Sequence, residues 1–139
     1  MKFATIAILF ITLAQSAVAQ NNNRVAIGVN FNGKDSVGRA LVYAIQDQLS
    51  RSGILENGST TWGLVLSIVS VNDNPQTSDA NNTSSAISVV LLGKRKGEVD
   101  WFIDQWALDI GMGKTEEMAK RLLVAVNDDV NTLRQLAAQ

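Results

Sequence analysis

DIGMGKTEEMAKRLL, residues 109–123, decides how the whole chain is read. Gly113-Lys114-Thr115 spells the end of a nucleotide-binding P-loop. Such a loop needs another glycine five residues before its Gly-Lys-Thr glycine, because backbone N–H groups must wrap the phosphates. That position is Leu108, inside a strand pattern. P-loops also follow a buried parallel strand of a doubly wound sheet, whereas the residues before Asp109 read as the close of an antiparallel meander. Glu116 and Glu117 would repel a triphosphate at the helix start. The plainer reading accounts for every letter. Gly111 and Gly113 permit a tight strand-to-helix turn, Thr115 or a neighbour caps, and the two glutamates favour the positive end of the helix dipole. The stretch is a helix start, and no nucleotide is expected there.

Working outward, the helix runs over 114–136, with Met118, Leu122, Ala125, Val126, Val130 and Leu133 on one stripe. Before it, 99–110 reads as the last strand. Lys94-Arg95-Lys96-Gly97 reads as the turn that joins it to a strand over 86–92, with glycine available for a positive dihedral. The Asn-, Asp-, Ser- and Thr-rich segment 72–85, holding the chain's one proline, reads as a long mobile loop. Residues 61–71 alternate as a strand. So do 25–31, where Val25, Ile27, Val29 and Phe31 share a face. Between these two strands, Asp35 or Ser36 caps a helix whose stripe is Val37, Leu41, Ala44, Ile45 and Leu49, and Gly53 is placed to end it. The order β-α-β-β-β-α implies an α+β fold, one four-stranded mixed sheet with two helices packed on one face.

The N-terminus, MKFATIAILFITLAQSAVAQ, combines one lysine, an apolar run from Phe3 to Ala14 and the small-x-small triplet Ala17-Val18-Ala19. That is the grammar of a secretory signal peptide. The run is shorter than the ~20 residues that span a bilayer. Residues 1–19 are therefore expected to leave, with 20–139 as a single domain of the bacterial periplasm or the exterior. With Lys2 removed, 11 basic and 13 acidic residues leave a net charge of −2, so nothing in the charge balance attracts nucleic acid or an anionic membrane, both of which reward a basic face, and no stable membrane anchor is expected. The chain has no cysteine, which excludes a disulfide framework and an N-terminal lipid-bearing cysteine. Its 46% hydrophobic composition can supply the core that must hold it instead.

Chemistry-bearing constellations are scarce. Without His or Cys, common metal sites and His-based triads are unavailable, and neither metal nor cofactor is expected. Asp100, Asp104 and Asp109 lie on the last strand but not all on one face. Asp104 shares its face with Phe102, Trp106, Leu108 and Ile110, so it must be paired, hydrogen-bonded or at an edge, and could have a raised pKa. Asn72-Asp73-Asn74 and Asp79 lack the spacing and glycine of an EF-hand. Lys94, Arg95 and Lys96 are either a charged hairpin tip or a grip for an anion. No catalytic residue is named, and the chain reads as a non-enzyme.

Sorting the strands by parity gives a core face of Val25, Ile27, Val29, Phe31, Trp62, Leu64, Leu66, Ile68, Ile87, Val89, Leu91, Phe102, Trp106, Leu108 and Ile110. On the opposite face, Val65, Val69, Val71, Val90, Trp101 and Ile103 would form an apolar patch if they cluster. Such patches usually mark interfaces, with tryptophan a plausible anchor. The competing reading is scattered valines chosen for strand propensity, with the 72–85 loop folded over them.

The element order resembles two envelope modules, the lipopolysaccharide-assembly lipoprotein that plugs an outer-membrane barrel and the N-terminal domain of the Tol-system propeller protein. Asp35-Ser36-Val37-Gly38-Arg39-Ala40-Leu41-Val42-Tyr43 also resembles the first helix of small uncharacterised periplasmic proteins. The resemblance implies an envelope location and carries no functional residue across, and this chain lacks the lipoprotein's anchoring cysteine. The leading expectation is a periplasmic module that binds an envelope protein, or itself as a homodimer, through its open sheet face; an immunity protein or hydrolase inhibitor is one form of this. The alternative is a carrier or sensor of an envelope lipid or glycan, using the gap between sheet and long loop with Lys94 to Lys96 as anion contacts.

Overall fold

The computed structural model describes residues 24–139 apart from Pro75; the expected signal peptide, 1–19, lies outside the described residues. The elements are β1 (Val25–Asn32), α1 (Ser36–Arg51), β2 (Leu55–Asn57), β3 (Gly63–Asn72), β4 (Ser84–Lys94), β5 (Trp101–Gly111), a 3-10 turn (Met112–Lys114) and α2 (Thr115–Ala137). They form an α+β fold with one mixed sheet in the order β2-β1-β3-β4-β5. β1 runs parallel to β2 and β3, and the β3-β4-β5 meander is antiparallel.

The sheet has five strands rather than the four expected. The fifth, β2, spans only three residues, too few for a period of two to show in sequence. Its connection to β3 is unusual. β2 ends at Asn57 opposite Ile27, and β3 takes up pairing on the other flank of β1 with Leu64, also opposite Ile27. The chain therefore hops across β1 without returning along the sheet, and a short link replaces the long crossover that parallel strands normally need. The hop passes directly over Gly28, where a Cβ would overlap the Ser59 carbonyl oxygen. It is pinned by the Gly58 N–H donating to the Ile27 carbonyl at 2.9 Å. Glycine at position 28 is a packing requirement of this crossing.

α1 forms because its apolar stripe meets the sheet while Asp35 caps it, accepting from the Gly38 N–H at 2.7 Å. Val37, Leu41, Ile45 and Leu49 are fully buried, each contributing roughly 1.5–3 kcal/mol of apolar burial. The helix ends at Arg51, one turn's hydrogen bond early for Gly53: Ser52 is extended, and its hydroxyl accepts from the N–H groups of Ile54 and Leu55. α2 buries Ala119, Leu122, Leu123, Val126 and Val130, whereas Leu133 is exposed. Thr115 is not its cap. Lys114 holds that position without a capping hydrogen bond from its side chain, and the buried Thr115 hydroxyl donates back to Met112 O at 3.2 Å. The buried faces of both helices share one apolar cluster with Ile27, Leu66, Ile68, Ile87, Val89, Leu91 and Ile110, so both lie on the same side of the sheet.

Two expected core residues sit elsewhere. Trp62 precedes β3 in the crossing segment and is 64% exposed, and Phe102 is 63% exposed. The cause at Phe102 is a β-bulge. Leu91 pairs with Asp104 but Leu92 pairs with Phe102, leaving Ile103 as the extra residue. One inserted residue moves every side chain before it to the opposite face.

Candidate interaction surface

The bulge rewrites the sequence-derived patch. Val65, Val69, Val71 and Val90 lie on the open face, the side away from the helices. Trp101 and Ile103 do not. A Cβ at Gly93, which points to the helix side beside Leu64, would touch both of their side chains, and Ile103 packs against the apolar core. Phe102 takes their place on the open face, opposite Leu92. A period-2 count cannot detect an inserted residue, so nothing in the alternation of residues 99–110 betrays it.

The six named residues thus do not form one patch. Val65 is fully buried although it lies outside the helix-side cluster, because its pairing partner Gly28 carries the crossing segment over that part of the face. Along β3 and β4, Ser67 opposite Val90 and Ser88 opposite Val69 interrupt the apolar surface. What remains exposed is a pair at one end, Val69 (44%) and Val71 (60%), and Phe102 beside the half-buried Leu92 at the other. Val69 and Val71 border a cleft of about 260 Å³ that also involves Lys34, Asn72 and Asp79.

That end of the sheet is closed by a polar network. The Asp35 carboxylate, 1% exposed, accepts from the Ser85 hydroxyl at 2.6 Å as well as from Gly38. Asn82 donates to the Ser85 hydroxyl at 2.6 Å and accepts from the Ser36 N–H at 2.9 Å and hydroxyl at 2.6 Å. The Ser36 N–H also reaches Asp79 O at 2.8 Å. The segment 72–85, read from sequence as a long mobile loop, gives its ends to β3 and β4, and between them Asp79 and Asn82 are tied to the start of α1. Burial raises the Asp35 pKa, but hydrogen bonds from Ser85, Gly38, Ser70 and its own backbone outweigh it and hold the group below its ordinary 3.8. Asp35 Oδ2 and the Ser70 hydroxyl lack a well-aligned partner, yet the hydroxyl lies beside the carboxylate and favours its charged form. Sequence offered Asp35 or Ser36 as the cap but not its surroundings, since Ser70 and Ser85 lie on β3 and β4 and Asn82 in the loop between them.

At the far end, Lys94 pairs with Asp100 at 3.4 Å and Arg95 with Glu98 at 3.7 Å. The Arg95 guanidinium lies 4.9 Å over the Trp101 ring. Gly97 has φ +81°, the turn glycine expected. These cations are nine residues of β4 away from the loop at Ser85, roughly 30 Å at strand spacing. They cannot share one binding site with the cleft beside that loop.

Asp104 lies on the helix side and accepts its neighbour Gln105's N–H at 2.7 Å. On α2, Asp129 has its pKa raised above 3.8 by burial first, then by the charges of Asp104 and Asp128. No group of three or more metal-ligating side chains occurs among the described residues. Lys114 pairs with Glu117 at 3.1 Å, and the same glutamate also receives Arg121, which pulls its pKa down, Lys114 contributing most. No described helix is long and apolar enough to cross a membrane.

No protein-family model and no curated protein matches the chain. Among solved structures it is similar to the rare lipoprotein B from Shewanella oneidensis, at 10% identity over 77% of this chain and 98% of that one, with a TM-score of 0.40. The likeness is a weak one of topology, the order and layering of elements, with almost no shared sequence.

Proposed function

We propose that the protein is a non-catalytic module of the bacterial envelope, active in the periplasm, which binds a protein partner or a second copy of itself through the open face of its sheet. The observation that carries this reading is the asymmetry of the sheet. Two helices bury one face, while Val69, Val71 and Phe102 stand exposed on the other. Apolar side chains that add nothing to the core have a reason to be there when a partner covers them. The absence of a grouped set of acids, bases and nucleophiles in the sequence supports a binding role over a chemical one.

Light scattering coupled to size exclusion on residues 20–139 tests it, with Val71→Glu and Phe102→Glu alongside and periplasmic crosslinking to detect a foreign partner. Both variants should keep the wild-type melting profile and lose association. Association unchanged in both would contradict the proposal.

A further inference from the structure

β5 is the outer strand of the sheet, 11 residues from Trp101 to Gly111, and among the described residues no strand pairs with its far side. The β4–β5 register shows which of its groups face outward. The Met112 N–H donates to the Thr83 carbonyl at 2.8 Å, one step beyond the pairing of Gly111 with Ser84. In an antiparallel ladder such bonded pairs alternate with unbonded ones. Counting back from Met112, Ile110, Leu108, Trp106 and Asp104 turn their N–H and C=O groups to β4, while Asp109, Ala107 and Gln105 turn theirs outward. Gln105 fits this: its N–H donates to the Asp104 carboxylate at 2.7 Å, a side chain standing in for a neighbouring strand.

Sheets usually guard such an edge with lysine, proline, shortness or a cover. β5 is long, carries no lysine, arginine or proline, and leaves Gln105, Ala107 and Asp109 exposed. Trp106 and Leu108 are only half-buried at the margin of the helix-side core. An edge of that kind is a template for another strand.

The edge's own residues select that strand. Outward groups meet outward groups only when odd residues pair with odd, and this parity never sets Asp104 against Asp109 of a second copy. A two-fold axis at Ala107 places Gln105 opposite the other copy's Asp109, amide against carboxylate, and Trp106 opposite its Leu108. The paired run, 104–110, stops short of the bulge at Ile103. Charge agrees with this register. At one end of β5, Asp104 lies near Asp129 of α2, whose Oδ2 is buried without a hydrogen-bond partner and whose pKa is raised by burial and then by Asp104 and Asp128. At the other end, Lys114 and Arg121 share the one carboxylate of Glu117, beside Ile110 in a cleft of about 230 Å³. The axis sets Asp104 opposite Ile110 of the second copy, acidic end to basic end. An inward-pointing charge at an edge discourages indiscriminate pairing, and here it favours one register.

We infer that the outer edge of β5 pairs antiparallel with the same edge of a second copy about a two-fold axis at Ala107, joining two five-stranded sheets into one. About six backbone hydrogen bonds form across the axis, and the Asp104 carboxylate, displaced from the Gln105 N–H, turns to the cations of the other copy. The interface uses the edge and not the open face, so it goes beyond the partner binding proposed above. Val71→Glu, stripped of association through the face, remains a dimer.

Light scattering of residues 20–139 should show that dimer. Ala107→Lys sets two lysines against each other at the axis and should raise the dissociation constant at least about tenfold. The position is exposed, so circular dichroism of the variant should match wild type. Single cysteines in this cysteine-free chain read the register. Ala107→Cys should oxidise to a linked dimer, because Cα atoms paired at the axis lie about 5.5 Å apart. Gln105→Cys and Asp109→Cys, each about 13 Å along the strand from its own copy, should stay unlinked alone and link when mixed. A monomeric wild type, a dimer untouched by folded Ala107→Lys, or self-linking of Gln105→Cys without that of Ala107→Cys would each overturn the inference. If Ala107→Lys misfolds, the cysteine pattern decides alone.

Discussion

The two ends of the sheet invert the usual placement of residues in opposite ways. At the end where β1 passes into α1, Asp35, Ser70, Asn82 and Ser85 are polar and at most 5% exposed. At the hairpin end, Trp62, Val99 and Phe102 are apolar and at least 63% exposed. Buried polar groups are stable there when hydrogen-bonded, and Asp35, Asn82 and Ser85 bond to one another and to the start of α1, tying a long loop to a helix start. Exposed apolar groups add no such structural bond. Folding explains the first end and leaves the second without a folding reason, which is the physical content of assigning recognition to the apolar surfaces.

The sharpest way to break this contrast is at Asp35. Asp35→Ala removes a helix cap and leaves the buried Ser85 hydroxyl without its acceptor, so it should destabilise by about 3 kcal/mol in urea unfolding. A loss below about 1 kcal/mol would show that the network is incidental. The same carboxylate makes stability depend on pH. Its pKa is lower folded than unfolded, so its contribution is present above the ordinary 3.8 and is lost as pH falls through the still lower folded value. Asp35→Asn should flatten that acid limb.

Asp129 works the other way and more weakly. Its pKa is raised in the folded state, so its stabilising contribution is full below 3.8 and is lost as pH rises through the folded value. Asp129→Asn should therefore raise the melting temperature slightly at neutral pH and leave it unchanged under acid conditions. A drop at neutral pH would mean that the charged group has a favourable partner.

The smallest expected effect on stability is at the exposed end. Phe102→Ser should change the unfolding free energy by no more than about 0.5 kcal/mol, while removing surface from the proposed interface. A large loss would mean that Phe102 is part of the fold and that the contrast between the ends is false.

Much of the fold was legible in the sequence because each long element repeats its own period. The stripe Val37, Leu41, Ile45 and Leu49, the alternation from Ile27 to Phe31 and the start of α2 were all visible there. β2 was not, since three residues carry no period. The β2–β3 hop was equally hidden, because Gly28 reads as an ordinary strand glycine until the chain that crosses it is known. The open face was legible only in part. Parity holds for Val65, Val69, Val71 and Val90 but fails at Trp101, Phe102 and Ile103, where one bulged residue exchanges the faces. Burial of Val65 came from a segment no local pattern could place. Asp35 was visible as one of two candidate caps beside Ser36, whereas Ser70, Asn82 and Ser85 look like ordinary strand and loop residues until the topology brings them together.

The central claim, that the open face rather than the helix layer meets the partner, is tested most directly by site-specific photo-crosslinking in the periplasm. A crosslinking residue would replace Val71 on the open face or Tyr43, which is 70% exposed on α1. The account expects a discrete crosslinked species, to a second copy or to another protein, from position 71 and none from position 43. Crosslinks from position 43 with none from position 71 would contradict it and move recognition to the helices.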